Sequence, residues 1–212
     1  MTARCEFRAI VIGVSSGGVQ ALSALLGALP AKFALPIVVV QHISPEAGDG
    51  LARLLDAHGP LRVKEADEME LPIAGHVYLA PPNYHLLVEP DGHLALSADL
   101  PVSYARPSVD VLFETAAEAW GAGLIGVILT GANHDGSRGL ARIKARGGLA
   151  IVQDPTDAEA PQMPLAAIAA LAAMENNALD HVVPLADLPA LLVTLAGSPK
   201  NTRGTRGVSR AT

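Results

Sequence analysis

Residues 9–18 read AIVIGVSSGG, an apolar run that ends in a serine pair enclosed by glycines. An unbroken apolar run without alternation is the pattern of a strand covered on both faces. Gly13, Gly17 and Gly18 permit a tight turn after it. Val19, Leu22, Leu25, Leu26 and Leu29 then fall on one helical face, which predicts a helix over 18–29 stopped by Pro30. A buried strand feeding a helix through a short turn is the repeating unit of a parallel sheet.

The chain continues in the same way. IVVVQ at 37–41 predicts a second buried strand, followed by a helix around 50–58 and a short strand at 62–65. This β-α-β-α-β order implies parallel strands with right-handed crossovers. The middle changes character. Short strands at 77–80, 85–89 and 93–97 are punctuated by Pro81-Pro82-Asn83 and Pro90-Asp91-Gly92, which predicts an antiparallel insertion or edge. Ser108 is placed as the cap of a helix running to Trp120. Strands at 124–129, 149–153 and 181–183 then alternate with helices at 136–146, 164–174 and 185–195. The expected fold is α/β, a single-domain doubly wound and mostly parallel sheet with helices on both faces and a small antiparallel element, spanning 5–196.

Composition agrees with one sizeable core. The chain has 212 residues, half of them hydrophobic and only 3% aromatic, so Ala, Leu, Val and Ile must fill the interior. No run approaches about 18 uninterrupted apolar residues, which argues against membrane insertion. The start lacks a secretory pattern, and the single cysteine, Cys5, has no partner, so a reducing cytoplasm is expected. The net charge is -6, although residues 197–212 contain Lys200, Arg203, Arg206 and Arg210 and no acid. That stretch reads as a disordered basic tail, and the acidic body argues against nucleic-acid binding.

Open parallel sheets place ligands at the carboxyl ends of their strands, so the polar residues just after each buried strand are the candidates. Gly13, Ser15 and Gly17 match G-x-S-x-G between a strand and a helix. This geometry exposes a serine above the sheet at a helix N-terminus, where free N–H groups stabilise negative charge. A glycine-rich turn with a capping serine, or a phosphate-binding loop, would show the same residues. His42 follows the second strand and is a candidate general base. A Rossmann fold wants Asp or Glu there to hold a ribose, and Gln41 and His42 stand in its place. After the strand at 124–129 comes TGANHDG, in which Asp135 is a candidate partner for His42 or a helix N-cap. His134 is a rival base, but neighbours in sequence rarely point at one spot. Together the three loops place Ser15, His42 and Asp135 in an order unlike that of the α/β-hydrolases.

The segments IGVSSGG at 12–18, VVQHISP at 39–45, VYLAPPNYHL at 77–86, RPSVDVLF at 106–113 and VILTGANHDGSRGL at 127–140 together resemble the CheB-type chemoreceptor methylesterase domain. Five segments in order cover nearly the whole chain, from about residue 9 to 195. The resemblance implies a Ser-His-Asp site at Ser15, His42 and Asp135, with no metal and no cofactor. It implies acyl transfer from methylated glutamates on the cytoplasmic helices of methyl-accepting chemoreceptors, and possible deamidation of glutamine. The backbone N–H groups of Ser16 and Ala132 are the oxyanion candidates. Familiar members carry Met at the position of Ala132 and a polar residue, often Asn, at that of His134. They also carry a receiver domain, whereas only about eight residues precede the first strand here, so a separate receiver or signalling protein is an expected partner. Arg138, Arg142 and Arg146 share one helix face that could meet an acidic receptor helix, although a solvated face is the plainer reading. The rivals are a nucleotide-binding module and a non-catalytic interaction protein on the same fold.

Overall fold

The apolar runs become strands. In chain order the elements are β1 (Ala9–Val14), α1 (Gly18–Gly27), β2 (Ile37–Gln41), α2 (Gly50–His58), β3 (Arg62–Glu65), β4 (His76–Leu79), β5 (His85–Val88), β6 (Leu94–Ser97), α3 (Val109–Trp120), β7 (Leu124–Ile128), α4 (Ser137–Ala145), β8 (Leu149–Gln153), α5 (Gln162–Ala172), β9 (His181–Val183) and α6 (Leu188–Ala196). The computed structural model describes residues 7–44, 46, 48–174 and 179–197. Cys5 and the basic tail beyond Gly197 lie outside the described residues, so the expectations about them stay untested.

Seven strands form one sheet in the order β3-β4-β2-β1-β7-β8-β9, every pair parallel. β5 and β6 form a separate antiparallel hairpin. Period-two alternation divides each central strand between two cores. Ala9 and Val11 of β1 face a core shared with Val109, Leu112 and Phe113 of α3, Leu140 and Ile143 of α4, and Leu86 and Val88 of the hairpin. Ile10, Ile12 and Val14 face the opposite core with Leu22, Leu25 and Leu26 of α1 and Leu188 and Leu192 of α6. Helices therefore cover both faces, which is why these strands carry apolar residues at every position. Among the described residues no helix is long and apolar enough to cross a membrane.

Three local expectations need correction. The strand placed at 77–80 was grouped with the antiparallel insertion, but β4 lies inside the main sheet, parallel to both β2 and β3. Val77, Tyr78 and Leu79 are all buried, so the absence of alternation outweighs the nearby turn residues as a signal. α5 starts two residues before Pro164, because a proline in the first turn removes an N–H that has no intrahelical acceptor anyway. Ser108 holds the cap position of α3, yet its hydroxyl makes no capping bond to the helix. It donates instead to Asp135.

The topology fixes where a site can form. β1 lies between β2 and β7, so the chain completes one side of the sheet with β2, β3 and β4 and then crosses to the other with β7. The carboxyl ends of β1, β2 and β7 meet at this reversal, the usual position for a ligand crevice in an open α/β sheet.

Candidate active site

Ser15 follows β1 directly and is pinned by its backbone. Its N–H donates to the Thr130 carbonyl at 2.9 Å, and its own carbonyl accepts the N–H of Gly18 at 2.9 Å. The turn needs Gly17, whose φ of 77° is left-handed. Gly131 lets the third loop come close: a Cβ there would stand 2.9 Å from the Ser15 Cβ and 2.0 Å from the Met163 sulfur. Thr130 ties the loops together, its hydroxyl donating to the Ser16 carbonyl and accepting the Ala160 N–H, each at 2.8 Å.

His42 extends the β1–β2 ladder by one residue, its N–H donating to the Val14 carbonyl at 3.1 Å. Strand pairing alone therefore brings it beside Ser15. Gln41, buried at the end of β2, reinforces the pair: its Nε2 donates to the Ser15 carbonyl at 3.0 Å and to the His42 carbonyl at 2.9 Å.

Asp135 is buried behind His42. Its Oδ2 accepts from His42 Nε2 at 2.8 Å and from the Val109 N–H at 2.7 Å. Its Oδ1 accepts from the Ser108 hydroxyl at 2.9 Å and the Asp110 N–H at 3.0 Å. Of the two readings of Asp135, the partner of His42 is the one this geometry fits, and the cap of the helix that follows is not. The residue at that cap is Gly136, and the carboxylate caps the more distant α3 instead. Burial pushes Asp135 up, but hydrogen bonds from His42 and from the N–H groups of Asp110 and Val109 outweigh it and hold the carboxyl below the ordinary range. Asp110 behaves oppositely: burial lifts its carboxyl above the ordinary range, although it accepts the Gly139 N–H at 2.8 Å.

The other ring nitrogen, His42 Nδ1, meets Asn133 Nδ2 at 3.2 Å. Ser15, His42, Asn133, His134 and Tyr104 line one cavity of about 640 Å³. Among the described residues the Ser15 hydroxyl makes no hydrogen bond, and the N–H groups of Ser16 and Ala132 have no acceptor. His134 is exposed on the cavity wall, and its carbonyl, not its ring, makes its bonds, both to Ser137. The structure thus brings Ser15, His42 and Asp135 together and leaves His134 at the edge. Asn133 and Asp110 were not singled out from the sequence, and Gln41 and Ser108 were noted there without a role at this site. Only Gln41, a polar residue closing an apolar strand, carried a local signal.

The Arg138, Arg142 and Arg146 side chains pair with Glu114 and Glu118 of α3. Arg138 and Arg142 line a groove of about 710 Å³ together with Glu114 and Glu118, so these guanidinium groups are already engaged within the protein. The carboxylate of Glu159 packs against Gly17, with Oε2 2.8 Å from where a Cβ would stand. A phosphate at the α1 N-terminus would meet that negative charge, which weakens the nucleotide reading.

Comparison with known proteins agrees with this geometry. Residues 10–192 match the family model described as CheB methylesterase. A Leptospira interrogans protein, provisionally named protein-glutamate methylesterase/protein-glutamine glutaminase, is 48% identical over 190 residues, covering 90% of this chain and 95% of that protein. The Myxococcus xanthus protein-glutamate methylesterase FrzG is 41% identical over 184 residues, covering 87% of this chain and 53% of its own length. The crystal structure of the Thermotoga maritima CheB methylesterase catalytic domain superposes with a TM-score of 0.82 at 35% identity, covering 89% of this chain and 98% of that one. Sequence, parallel-sheet topology and the convergence of three loops at one sheet edge lead to the same place: the chain belongs to the CheB methylesterase family.

Proposed function

We propose that this chain is a protein-glutamate methylesterase that removes methyl groups from glutamate side chains on the cytoplasmic helices of chemoreceptors, with protein-glutamine deamidation as a second reaction of the same site. The observation that carries this reading is the 2.8 Å bond between His42 Nε2 and the buried Asp135, beside a serine on the same cavity wall. The names of the relatives from Leptospira interrogans and Myxococcus xanthus support it.

The chemistry follows from the arrangement. Ser15 Oγ attacks the ester carbonyl while His42 takes the hydroxyl proton on Nδ1, the nitrogen not committed to Asp135. Asp135 holds the ring and stabilises the imidazolium. The Ser16 and Ala132 N–H groups donate to the oxyanion. Collapse of the intermediate breaks the bond to methoxide, which leaves as methanol with the proton from His42. Water, deprotonated by His42, then attacks the glutamyl ester and frees Ser15 and a glutamate carboxyl group. With glutamine as substrate, ammonia leaves in place of methanol.

A receptor helix is too wide to enter a small cleft, so the ester must be presented at the surface. Tyr104, fully exposed on the cavity lip, and the nearby exposed Leu100 offer apolar contact for it. The test is methanol release from receptor membranes methylated with labelled methyl groups. The wild-type chain should release label, and Ser15→Ala should lower the rate at least about a thousandfold. Full release by Ser15→Ala would end the proposal.

A further inference from the structure

The contacts of Asn133 and Asp135 agree on which nitrogen of His42 carries a proton. Asn133 Oδ1 accepts the backbone N–H of Asp135 at 3.1 Å. A backbone N–H can only donate, so the amide oxygen must face it. The amide NH2 is then the group that faces His42 Nδ1 at 3.2 Å. An NH2 group is a donor, so Nδ1 must be the acceptor and hold its lone pair there. The proton of the neutral ring therefore sits on Nε2, where the Asp135 carboxylate receives it at 2.8 Å. Both ring nitrogens are engaged, and neither engagement is with Ser15.

We infer that Asn133 is a positioning residue that occupies the lone pair on His42 Nδ1 until substrate displaces it, reinforcing the tautomer that the Asp135 carboxylate requires. The inference rests on the methylesterase reading, because only that reaction needs Nδ1 as a base. The tautomer that Asp135 and Asn133 both favour is the correct one for catalysis: with the proton on Nε2, the ring presents its lone pair on Nδ1 to the cavity side. Its bond to that nitrogen also competes with the serine hydroxyl for the same lone pair. Asn133 and His42 both line the cavity, so a substrate entering it reaches this contact before the chemistry begins. The resting site is oriented but held back.

Two substitutions separate this role from simple support of the loop. Asn133→Ala removes the donor and frees Nδ1. Asn133→Asp keeps an oxygen for the Asp135 N–H but replaces the donor with a carboxylate, which demands a proton on Nδ1. The full chain labelled with nitrogen-15 histidine should show, in long-range proton–nitrogen spectra, a wild-type His42 with hydrogen on Nε2 and none on Nδ1. Asn133→Asp should show a proton on Nδ1. A small fluorophosphonate ester, which reacts with Ser15 without a receptor helix, gives the matching rate. Asn133→Ala should react about threefold to tenfold faster than wild type, and Asn133→Asp at least about tenfold slower. A hydrogen on Nδ1 in the wild-type protein, an unchanged or slower Asn133→Ala, or rates that move in one direction for both variants would overturn the inference. If no form of the chain reacts with the probe while the spectra follow the expected pattern, the methylesterase reading fails and the hold of Asn133 on Nδ1 stands.

Discussion

Asp135 and Asp110 cap each other's helices. Asp135, just before α4, accepts the N–H groups of Val109 and Asp110 at the start of α3. Asp110, in the first turn of α3, accepts the Gly139 N–H at the start of α4. Two positive helix ends thus meet two carboxylates across a buried contact, and the carboxylate that orients His42 is also part of the scaffold.

A stability cost distinct from the activity cost is therefore expected at Asp135. Asp135→Ala leaves the Ser108 hydroxyl and the Val109 and Asp110 N–H groups buried without an acceptor, and should lower unfolding free energy by about 3–5 kcal/mol. Ser15→Ala, which breaks no hydrogen bond among the described residues, should stay within about 0.5 kcal/mol of wild type. Urea unfolding followed by circular dichroism measures both. An Asp135→Ala protein as stable as wild type would mean that the carboxylate does not hold α3.

The same pair sets an acid dependence. The Asp135 carboxyl lies below its ordinary value of 3.8 in the folded protein. Its contribution to stability is therefore complete above about pH 3.8 and is lost as pH falls through the lower folded value. Asp110 is raised, so it binds its proton more readily when folded and favours folding increasingly as pH falls through its own higher value toward 3.8. The stability gap between wild type and Asp135→Asn should shrink below about pH 3.8. For Asp110→Asn the variant should gain on wild type as pH rises from that value toward neutrality. Unfolding curves collected from pH 3 to 7 test both signs, and a gap at Asp135 that widens in acid would contradict the assignment.

The two histidines on the cavity wall should differ sharply. His42→Ala removes the ring bonded to Asp135 and should lower kcat for methanol release at least about a thousandfold. His134→Ala should keep kcat within about threefold, because the exposed ring makes no hydrogen bond among the described residues. The reverse ranking would make His134 the base.

Gln41 should matter without touching substrate. Its amide bridges the carbonyls of Ser15 and His42, so its loss loosens the spacing between the proposed nucleophile and base. Gln41→Leu should lower kcat about tenfold with KM nearly unchanged, and reduce stability by about 1–3 kcal/mol. Wild-type kcat in a folded Gln41→Leu protein would show that the strand ends hold the two residues alone.

Much of this molecule was legible in its amino acids because both cores are built by simple periodicity. Unbroken runs such as those at β1, β2 and β7 mark strands buried on both sides, and they locate the loops that carry Ser15, His42 and Asp135. Local patterns could not say that β4 joins the main sheet, because short strands flanked by prolines look alike in either setting. They could not assign Asp135 to α3 rather than to its own helix, since capping across 26 residues is a tertiary contact. Nor could they pair the arginines of α4 with Glu114 and Glu118, or bring Asn133 onto His42. Residue type and spacing determine which side chains reach the carboxyl edge of the sheet, because period and turn chemistry act within a few residues. Only packing decides which donor meets which acceptor there, because each hydrogen bond depends on distances between segments that the chain itself leaves independent.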